Sequence, residues 1–279
     1  MVSIIIPCFN DADFIEQSVQ SALCQTYENK EIIVVDDGSD KETKAVLKKL
    51  EPKINLLITQ ENKGTSAARN TGIAAASGEY ILVLDSDDYF ETTFCEIATE
   101  IFRKDSNIKI VTCYAQWFWN NKDFQIFKPH GGVLVNVLLN NIAMGSSMFN
   151  KTDWKNVKGY DEEMFKGFED WEFYIRLHKN GGRTHVVPEV LFHYRKKNNS
   201  RTSIANENKY GLLEYIYLKH ADLYKENFEL FTKDLLNKIK IEEREKIKNT
   251  KRIDFKLGNA ILRPLRFIKS LISKRNVSK

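Results

Sequence analysis

The first ninety residues alternate between short, mostly apolar runs and segments with helical periodicity. The apolar runs occupy residues 2–6, 31–35, 54–59 and 79–84. Apolar residues recur every three or four positions in the segments 12–23, 42–50 and 65–76, and Asn10 or Asp11 is placed to cap the first of these helices. Strands that alternate with helices of this length form βαβ units. We therefore expect an α/β fold with a mainly parallel sheet in this part of the chain.

The pattern becomes mixed after residue 88. Helical periodicity is expected at 92–103 and 131–140, and strands at 109–119, 123–127, 184–187 and 190–194. Pro188 separates the last two runs, and proline cannot donate a backbone hydrogen bond within a sheet. The sequence predicts antiparallel pieces here, with two short strands divided by Pro188.

The chain from about Asn206 onward reads as helical and rich in lysine. Residues 256–279 hold seven basic side chains and no acidic one, and their apolar residues recur at helical spacing. A basic amphipathic helix is typical of an element that lies on an anionic membrane surface. A helix that packs its apolar stripe on the domain or on a second subunit would show the same pattern, so both interpretations stay open.

Composition and charge narrow the class of protein. The net charge of +4 gives no reason to expect nucleic acid as a partner. No apolar run approaches the roughly 20 residues that span a bilayer, and the N-terminus lacks the basic region of a signal peptide. We expect a cytoplasmic protein, peripheral on the inner face of the cell membrane. The four cysteines, which show no zinc spacing, are expected to be reduced and buried; they are Cys8, Cys24, Cys95 and Cys113.

Three carboxylates follow the fourth apolar run, in the segment Asp85-Ser86-Asp87-Asp88. Like charges this close raise one another's pKa, so a fold retains them most readily where a cation neutralises them. Oxygen ligands suit a hard cation such as Mg²⁺ or Mn²⁺. Ligands of open α/β sheets bind outside the carboxyl ends of the strands. The cluster therefore suggests a metal beside a phosphate, although a solvated acidic turn would carry the same residues.

Three further polar loops are expected at the same edge of the sheet. The first strand runs into Pro7–Asn10, the second ends in Asp36-Asp37, and Asn62-Lys63-Gly64 follows the third. Asp37 is placed to accept a hydrogen bond from a base or a ribose. Gly64 permits close backbone approach, and the forked donors of Arg69 suit a phosphate. Each loop alone is an ordinary turn, but together they describe a nucleotide pocket beside a metal.

The chain resembles family 2 glycosyltransferases of the GT-A fold. The matching segments are Val2–Asn10, Val34–Ser39, Asn62–Asn70 and Asp85–Asp88, in the order of the family, and a weaker match extends to about residue 203. The resemblance implies a GT-A domain over residues 1–205, which is a Rossmann-like mixed sheet with flanking helices. A helical, basic extension over residues 206–279 would follow it.

The resemblance also assigns donor-site roles. It implies that Asp37 contacts the base, and that Asp85 and Ser86 face the ribose or the donor sugar while Asp87 binds the metal. Asp88 is left open between a supporting role and a solvated turn. The remaining residues expected at the nucleotide sugar are Pro7, Phe9, Asn10, Asn62, Gly64 and Arg69.

Two later segments complete the expected site. The pair Glu169-Asp170 matches the Glu-Asp motif of the family, which makes Asp170 the general base for the acceptor hydroxyl. Glu169 would contact the acceptor or the donor sugar, or be the base itself, and simple helix capping is the alternative for both. The resemblance implies that His193 completes the metal site, with a structural histidine as the alternative. Arg195 would contact the diphosphate and begin a basic loop, residues 195–201, that closes over the phosphates.

The implied reaction is an inverting, metal-dependent transfer of a sugar from a nucleotide donor, UDP by resemblance, to a hydroxyl of a glycan. The enzyme would be a hexosyl- or N-acetylhexosaminyl-transferase acting on a lipid-linked glycan in bacterial cell-surface polysaccharide synthesis. One alternative is a polyprenyl-phosphate sugar transferase. The other is a non-catalytic nucleotide-sugar-binding subunit of a membrane assembly. The expected partners are the donor, the acceptor, an anionic membrane surface and a possible second copy of the chain.

Overall fold

A computed structural model of the chain describes residues 1–119, 123–197 and 201–262. The chain divides into two compact units, the first comprising Met1–Lys225 and the second beginning at Glu226.

One mixed sheet forms the centre of the first unit and contains, within the described ranges, nine strands. The strands are β1 (Val2–Cys8), β2 (Lys30–Asp37), β3 (Leu56–Gln60), β4 (Tyr80–Val83), β5 (Tyr89–Phe90), β6 (Ile108–Trp119), β7 (Asp123–Phe127), β8 (Met148–Asn150) and β9 (Arg183–Arg195). Their order is β3-β2-β1-β4-β8-β6-β9-β5, and β7 pairs with β6 outside this order, along residues 115–119. Strands β1 to β4 are parallel to one another, as the alternation of the first ninety residues predicts.

Helices cover both faces of the parallel strands. In the first unit they are α1 (Ile15–Leu23), α2 (Lys41–Leu50), α3 (Thr65–Ala75), α4 (Phe94–Lys104), α5 (Leu134–Leu139), α6 (Lys151–Asn156), α7 (Glu169–His178), α8 (Arg201–Glu207) and α9 (Lys209–Lys219), with α10 (Ala221–Glu226) at its end. Ile4 and Ile6 of β1 pack in one cluster with residues of α1, α2 and α4. Ile5 faces the other way, where a Cβ at Gly72 of α3 would lie 2.5 Å from its Cγ2 atom. Because β1 is covered on both faces, its sequence is mostly apolar, and its polar residue Ser3 donates a hydrogen bond to Glu31.

The second half of the sheet is mixed, as expected. β8 runs antiparallel to β4 and β6, whereas β6 and β9 are parallel. β9 is one continuous strand, so the prediction of two strands divided by Pro188 is wrong. The register jumps from Val187 to Val190 opposite Cys113 and Tyr114. This bulge leaves Pro188 outside the hydrogen-bond ladder, which is where a strand tolerates a residue without an N–H group.

The first unit extends past residue 205, where the sequence analysis places the domain boundary. Ile216 of α9 is fully buried, and Leu223 of α10 is 4% exposed. Lys219 Nζ and His220 Nε2 lie 2.9 and 3.0 Å from Oε1 of Glu172 in α7. Burial raises the pKa of Glu172, but hydrogen bonds from His220 and Arg176 prevail and lower it to about 2. These contacts hold α9 and α10 in the first unit.

The cysteines are all free, as expected, but they are not all buried. Cys8, Cys95 and Cys113 lie in the core, and burial raises the pKa of each thiol to about 12. The prediction is wrong for Cys24, which is exposed at the end of α1.

The second unit begins with a long helix, α11 (Phe228–Lys251). Several apolar side chains on it are exposed, including Leu236 at 61% and Ile239 at 53%. Within the described parts of the chain, no helix is long and apolar enough to cross a membrane. Most of the predicted amphipathic segment, from residue 263 on, lies outside the described residues.

Candidate active site

A cavity of about 420 Å³ lies at the carboxyl ends of β1, β2 and β4. Because these strands are parallel neighbours, the loops that follow them meet at one edge of the sheet. Eight of the residues predicted at the nucleotide sugar or metal line this cavity; they are Pro7, Phe9, Asp37, Asn62, Gly64, Asp85, Ser86 and Asp87. We call it the first cavity.

Asp37 fixes the loop that forms one wall of the first cavity. Its Oδ1 accepts hydrogen bonds from Gln60 Nε2 at 2.7 Å and from the Lys63 N–H group at 2.9 Å. Its Oδ2 accepts the Gly64 N–H group at 2.9 Å. A Cβ at the neighbouring Gly38 would lie 2.7 Å from the backbone nitrogen of Asn62, and Gly38 has φ of +77°. A carboxylate has about four acceptor positions, so Asp37 retains one for a ligand.

The three carboxylates of the acidic segment have different partners. Asp85 Oδ1 pairs with Arg69 at 2.8 Å, and Asp87 Oδ2 pairs with Lys197 at 2.8 Å. Asp88 is only 1% exposed, and its Oδ1 accepts the Arg195 N–H group at 2.7 Å. Burial raises the pKa of Asp88 well above its usual range, and the charges of Asp87 and Asp85 raise it further. Burial rules out a solvated turn for Asp88, whose hydrogen bond joins the acidic segment to the end of β9.

Lys197 holds two carboxylates of the first cavity with one ammonium group. Its Nζ lies 2.8 Å from Asp11 Oδ1 and 2.8 Å from Asp87 Oδ2. The other oxygen of Asp11 accepts the Ser86 hydroxyl at 2.5 Å. Asp11 therefore belongs to the site and does not cap α1, which begins at Ile15 without a side-chain cap. Burial raises the pKa of Asp87, against the lowering effect of Lys197.

Arg69 connects the first cavity to helix α7. The side chain is 2% exposed; its two terminal nitrogens lie 2.8 Å from Asp85 Oδ1 and 2.9 Å from Glu169 Oε1. Its guanidinium carbon also lies 5.3 Å from the ring centroid of Tyr160. Arg69 is thus a buried cation between two carboxylates, not a surface charge on α3.

A second cavity, of about 290 Å³, shares Asp85, Tyr194 and Arg201 with the first. It also contains Glu169 and Asp170, the first two residues of α7. Its remaining lining includes apolar residues from β6, β7 and the segments before α7, among them Trp117, Phe127, Met144, Gly145 and Phe168. The predicted donor-binding residues and the predicted base therefore face adjoining cavities.

Asp170 is a carboxylate with a raised pKa in the second cavity. Burial and the nearby Glu169 charge raise its pKa to about 6, although Arg69 and Asn141 lower it. Asn141 Nδ2 donates to Asp170 Oδ2 at 2.8 Å, and the Trp171 N–H group donates to Oδ1 at 2.8 Å. A Cβ at Gly145 would lie 3.3 Å from Oδ2, so glycine leaves room beside this oxygen.

Three predicted site residues do not line either cavity. His193 Nε2 lies 2.7 Å from Glu91 Oε1, and its ring stacks on Tyr89 at 4.4 Å. The Arg195 side chain donates to the Asp87 carbonyl at 3.0 Å and to Gln17 at 2.6 Å. Asn10 accepts the Asp40 N–H group at 2.8 Å. His193 therefore lies outside the cavity that Asp87 lines. The Arg195 side chain contacts the backbone of the acidic segment and does not line the cavity.

The carboxylates of Asp11 and Asp87 lie around one cation position in the first cavity. Across the described residues, no set of three or more His, Cys, Asp or Glu side chains is arranged to hold a metal ion. Asp11 and Asp87, however, both contact the Lys197 ammonium, which marks a position where a cation is stable. Magnesium is commonly held by one or two carboxylates together with substrate phosphates. The pair therefore fits a divalent ion that arrives with a phosphorylated ligand.

Sequence reasoning missed several residues of the two cavities. Asp11, Phe165 and Tyr194 line the first cavity, and Trp117 and Asn141 line the second. Lys197 and Arg201 also line the first cavity, and they belong to the basic run 195–201 that was expected to lie over the phosphates. No signal marked Asn141, because the segments around the second cavity meet only in the folded chain.

The chain belongs to glycosyl transferase family 2, whose model matches residues 3–158. A second model, described as the N-terminal domain of galactosyltransferase, matches residues 137–199. The UDP-Glc:alpha-D-GlcNAc-diphosphoundecaprenol beta-1,3-glucosyltransferase WfaP of Escherichia coli is 36% identical over 202 residues, which are 70% of this chain and 77% of WfaP.

Other relatives are longer than this chain. It spans only 30 to 34% of the hyaluronan and chondroitin synthases of Pasteurella multocida and the chondroitin synthase of Escherichia coli, at 26 to 27% identity. These matches cover 87 to 99% of this chain.

Solved structures show the same GT-A-type fold. Staphylococcus aureus TarS 1–349, in complex with UDP-GlcNAc, has a TM-score of 0.62 at 22% identity, covering 72% of this chain and 60% of TarS. The mannosyltransferase PcManGT of Pyrobaculum calidifontis, in complex with GDP-Man and Mn²⁺, has a TM-score of 0.58 at 17% identity, covering 93% of this chain and 83% of PcManGT. The predicted mixed sheet with flanking helices is thereby confirmed.

Replacing Arg69 by methionine is expected to destabilise the protein by about 3 kcal/mol, because the buried Glu169 and the partly buried Asp85 would lose their shared cation. Urea unfolding at pH 7 measures the change. The matched control is Arg183→Met, which removes a half-exposed arginine paired with Asp105 at 3.0 Å. That variant should unfold like the wild type because water screens an exposed pair. Equal effects of the two substitutions would contradict a special role for Arg69.

Proposed function

We propose that this chain transfers a sugar, with inversion, from a UDP-sugar to a hydroxyl group of a glycan acceptor. The observation that carries the proposal is the pair of adjoining cavities, with Asp85 in the wall that they share and Asp170 in the second. A donor in the first cavity would present its sugar beside Asp85, and an acceptor in the second would lie beside Asp170. Such an arrangement serves a reaction between two bound substrates.

The first cavity suits a nucleoside diphosphate sugar. Asp37 retains an acceptor position for a base or ribose group, and Lys197 and Arg201 bring positive charge to the same cavity. UDP is our choice of nucleotide because the name of WfaP includes UDP-Glc and TarS was solved with UDP-GlcNAc. The donor diphosphate would displace Lys197 from one or both of its carboxylates.

The proposal includes Mg²⁺ or Mn²⁺ as cofactor, held by Asp87 and Asp11 together with the donor diphosphate. The ion would neutralise the charge that develops on the leaving diphosphate. The Mn²⁺ in the PcManGT complex supports this choice of ion. His193 is not part of the proposed ligand set because its Nε2 is bonded to Glu91.

Asp170 is the proposed general base. Two donors, Asn141 and the Trp171 N–H group, orient its carboxylate. With its pKa at about 6, it is ionised at neutral pH yet more basic than an ordinary carboxylate. It would take the proton of the acceptor hydroxyl as the oxygen attacks the anomeric carbon. A single displacement inverts that carbon, so an α-linked donor would give a β-linked product.

Glu169 is the proposed positioning residue between the two substrates. Arg69 holds its Oε1 at 2.9 Å, and Arg201 approaches the same oxygen at 3.4 Å. Both of these arginines are cations that stabilise the ionised form of Glu169. Glu169 is therefore less suited than Asp170 to accept a proton.

The decisive experiment measures UDP release from a panel of UDP-sugars, with Mn²⁺ and with EDTA. We expect metal-dependent release from one sugar, slowed about a hundredfold or more by Asp170→Asn, because general bases contribute on that scale. Asp87→Asn should also abolish the response to Mn²⁺, whereas Asp105→Asn on the surface should behave as wild type. Failure of the wild type to bind UDP in calorimetry would refute the proposal.

The same variants separate the alternative functions. A non-catalytic subunit would bind UDP but release none from any sugar, in the wild type as in Asp170→Asn. A polyprenyl-phosphate sugar transferase would use a polyprenyl phosphate as acceptor and leave glycan acceptors unmodified. The partly buried, oriented carboxylate of Asp170 favours the glycan hydroxyl, because that acceptor must lose a proton whereas a phosphate oxygen need not.

UDP release is expected to fall as the pH drops below about 6, because protonation of Asp170 removes the base. Asn141→Ala removes a hydrogen bond that favours the ionised carboxylate, so it should raise the pKa of Asp170 and move the midpoint of the profile to higher pH. Asn107→Ala, at an exposed turn outside both cavities, is the control. An unshifted midpoint in Asn141→Ala would argue against Asp170 as the titrating group.

We further propose that the protein acts at the cytoplasmic face of a bacterial membrane, on a lipid-linked glycan in cell-surface polysaccharide synthesis. The diphosphoundecaprenol in the name of WfaP and the basic composition of residues 256–279 support this location. Replacing Lys269, Lys274 and Arg275 by glutamine should weaken binding to anionic vesicles about a hundredfold, at about 1 kcal/mol for each charge. In the control variant, glutamine replaces three exposed lysines of α2, which are Lys44, Lys48 and Lys49. An equal loss in both variants would exclude a specific role for the tail.

A further inference from the structure

Lys196 lies in the second cavity, immediately after the last residue of β9. Its backbone N–H group donates to the Phe118 carbonyl at 3.0 Å, which continues the pairing of β9 with β6. Its ammonium nitrogen lies 3.8 Å from the ring centroid of Trp117 and 5.1 Å from that of Tyr194. The position of the cation is thus set by aromatic rings at the end of the sheet.

Lys196 differs from the other cations of the two cavities in having no carboxylate partner. Arg69 pairs with Asp85 and Glu169, Lys197 pairs with Asp11 and Asp87, and Arg201 approaches Glu169 at 3.4 Å. In the described segments, no carboxylate lies within ion-pair distance of Lys196 Nζ. Burial lowers the pKa of Lys196, and only the charge of Asp88 raises it. A partly buried ammonium without a counterion favours an anion that arrives from solution.

The wall beneath Lys196 is rigid and apolar. Trp117 stacks on Phe127 with ring centroids 4.8 Å apart and an angle of 11° between the planes. Trp117 therefore has two aromatic neighbours, Phe127 and, at 6.2 Å, Tyr194, and one ammonium neighbour. This arrangement holds the charge of Lys196 within the cavity.

Carboxylates also line the second cavity, and they affect which acceptors can bind near Lys196. Asp85, Glu169 and Asp170 all line it, and an anionic acceptor would be repelled by any of their uncompensated charge. Lys196 supplies a positive charge at which the anionic part of such an acceptor can bind while its hydroxyl group lies beside Asp170.

We propose that Lys196 binds a phosphate oxygen of the acceptor, so that the acceptor sugar carries a phosphate or diphosphate ester. This inference rests on the proposed function, since it assigns the second cavity to the acceptor. Lysine binds phosphate as a point charge and needs no bidentate geometry. The apolar surface of Trp117, Phe127 and Met144 suits the sugar ring or the first carbons of a lipid. The diphosphate-linked acceptor in the name of WfaP has this chemistry.

The test is calorimetric binding of butyl diphosphate to the full-length protein with UDP and Mn²⁺ held at saturation, so that the first cavity is already filled. The wild type should bind one equivalent. Lys196→Gln should weaken this binding about tenfold, as expected for loss of one charge-assisted hydrogen bond, and Lys196→Arg should keep most of it. The matched control is Lys128→Gln, because Lys128 Nζ also lies over an aromatic ring, 5.1 Å from the centroid of Tyr114, outside both cavities.

Each outcome decides the question. The proposal would be overturned if the wild type did not bind butyl diphosphate in the presence of UDP and Mn²⁺. It would also be overturned if Lys196→Gln and Lys128→Gln bound butyl diphosphate equally well. Butyl glucuronide tests a carboxylate as the bound anion, and a preference for it over butyl diphosphate would overturn the assignment to phosphate. Failure of UDP itself to bind would refute the proposed function, and this inference with it. Normal UDP binding without diphosphate binding would refute only the role of Lys196.

Discussion

The buried guanidinium of Arg69 is the interaction on which the geometry of both cavities depends. It joins Asp85, which follows β4, to Glu169, the first residue of α7, across 84 residues of sequence. Without it the two carboxylates would repel each other, and the start of α7 would lose its direct ionic link to the segment that follows β4. Because Asp170 follows Glu169 directly, the same ion pair also places the proposed base. The strong effect expected from Arg69→Met follows from this shared dependence.

Charge compensation explains how so many carboxylates are retained at one sheet edge. The buried Arg69 pairs with Asp85 and Glu169, and a backbone N–H group donates to Asp88. Asp11 and Asp87 are instead held by Lys197, whose side chain is 30% exposed and can move aside. The permanent pairs maintain the fold, whereas the exchangeable pair is suited to a ligand that brings its own charges. This division separates the residues that position the site from those that we propose to contact the donor.

The sequence predicts the first cavity well and the second poorly, for a physical reason. Parallel neighbouring strands necessarily bring their carboxyl ends together, so loops after β1, β2 and β4 could be grouped from the pattern alone. The position of His193 could not be predicted in this way. It depends on the pairing of β9 with the two-residue strand β5, which stacks the His193 ring on Tyr89. Asp11 looked like a helix cap because such caps are local, whereas its actual partners are 75 and 186 residues away. The second cavity combines segments from α3 to α8, and no local sequence pattern shows that they meet.

The adjacent residues Lys196 and Lys197 show how one short segment serves two cavities. Successive side chains of an extended chain point in opposite directions, so the end of β9 directs Lys196 into the second cavity and Lys197 into the first. Their partners differ accordingly. Lys197 is paired with two carboxylates, while Lys196 lies over aromatic rings and, among the described residues, has no ion-pair partner. If both substrates carry phosphates, as we propose, this dipeptide places one cation at each, and Tyr194 of the same strand lies in the wall between them.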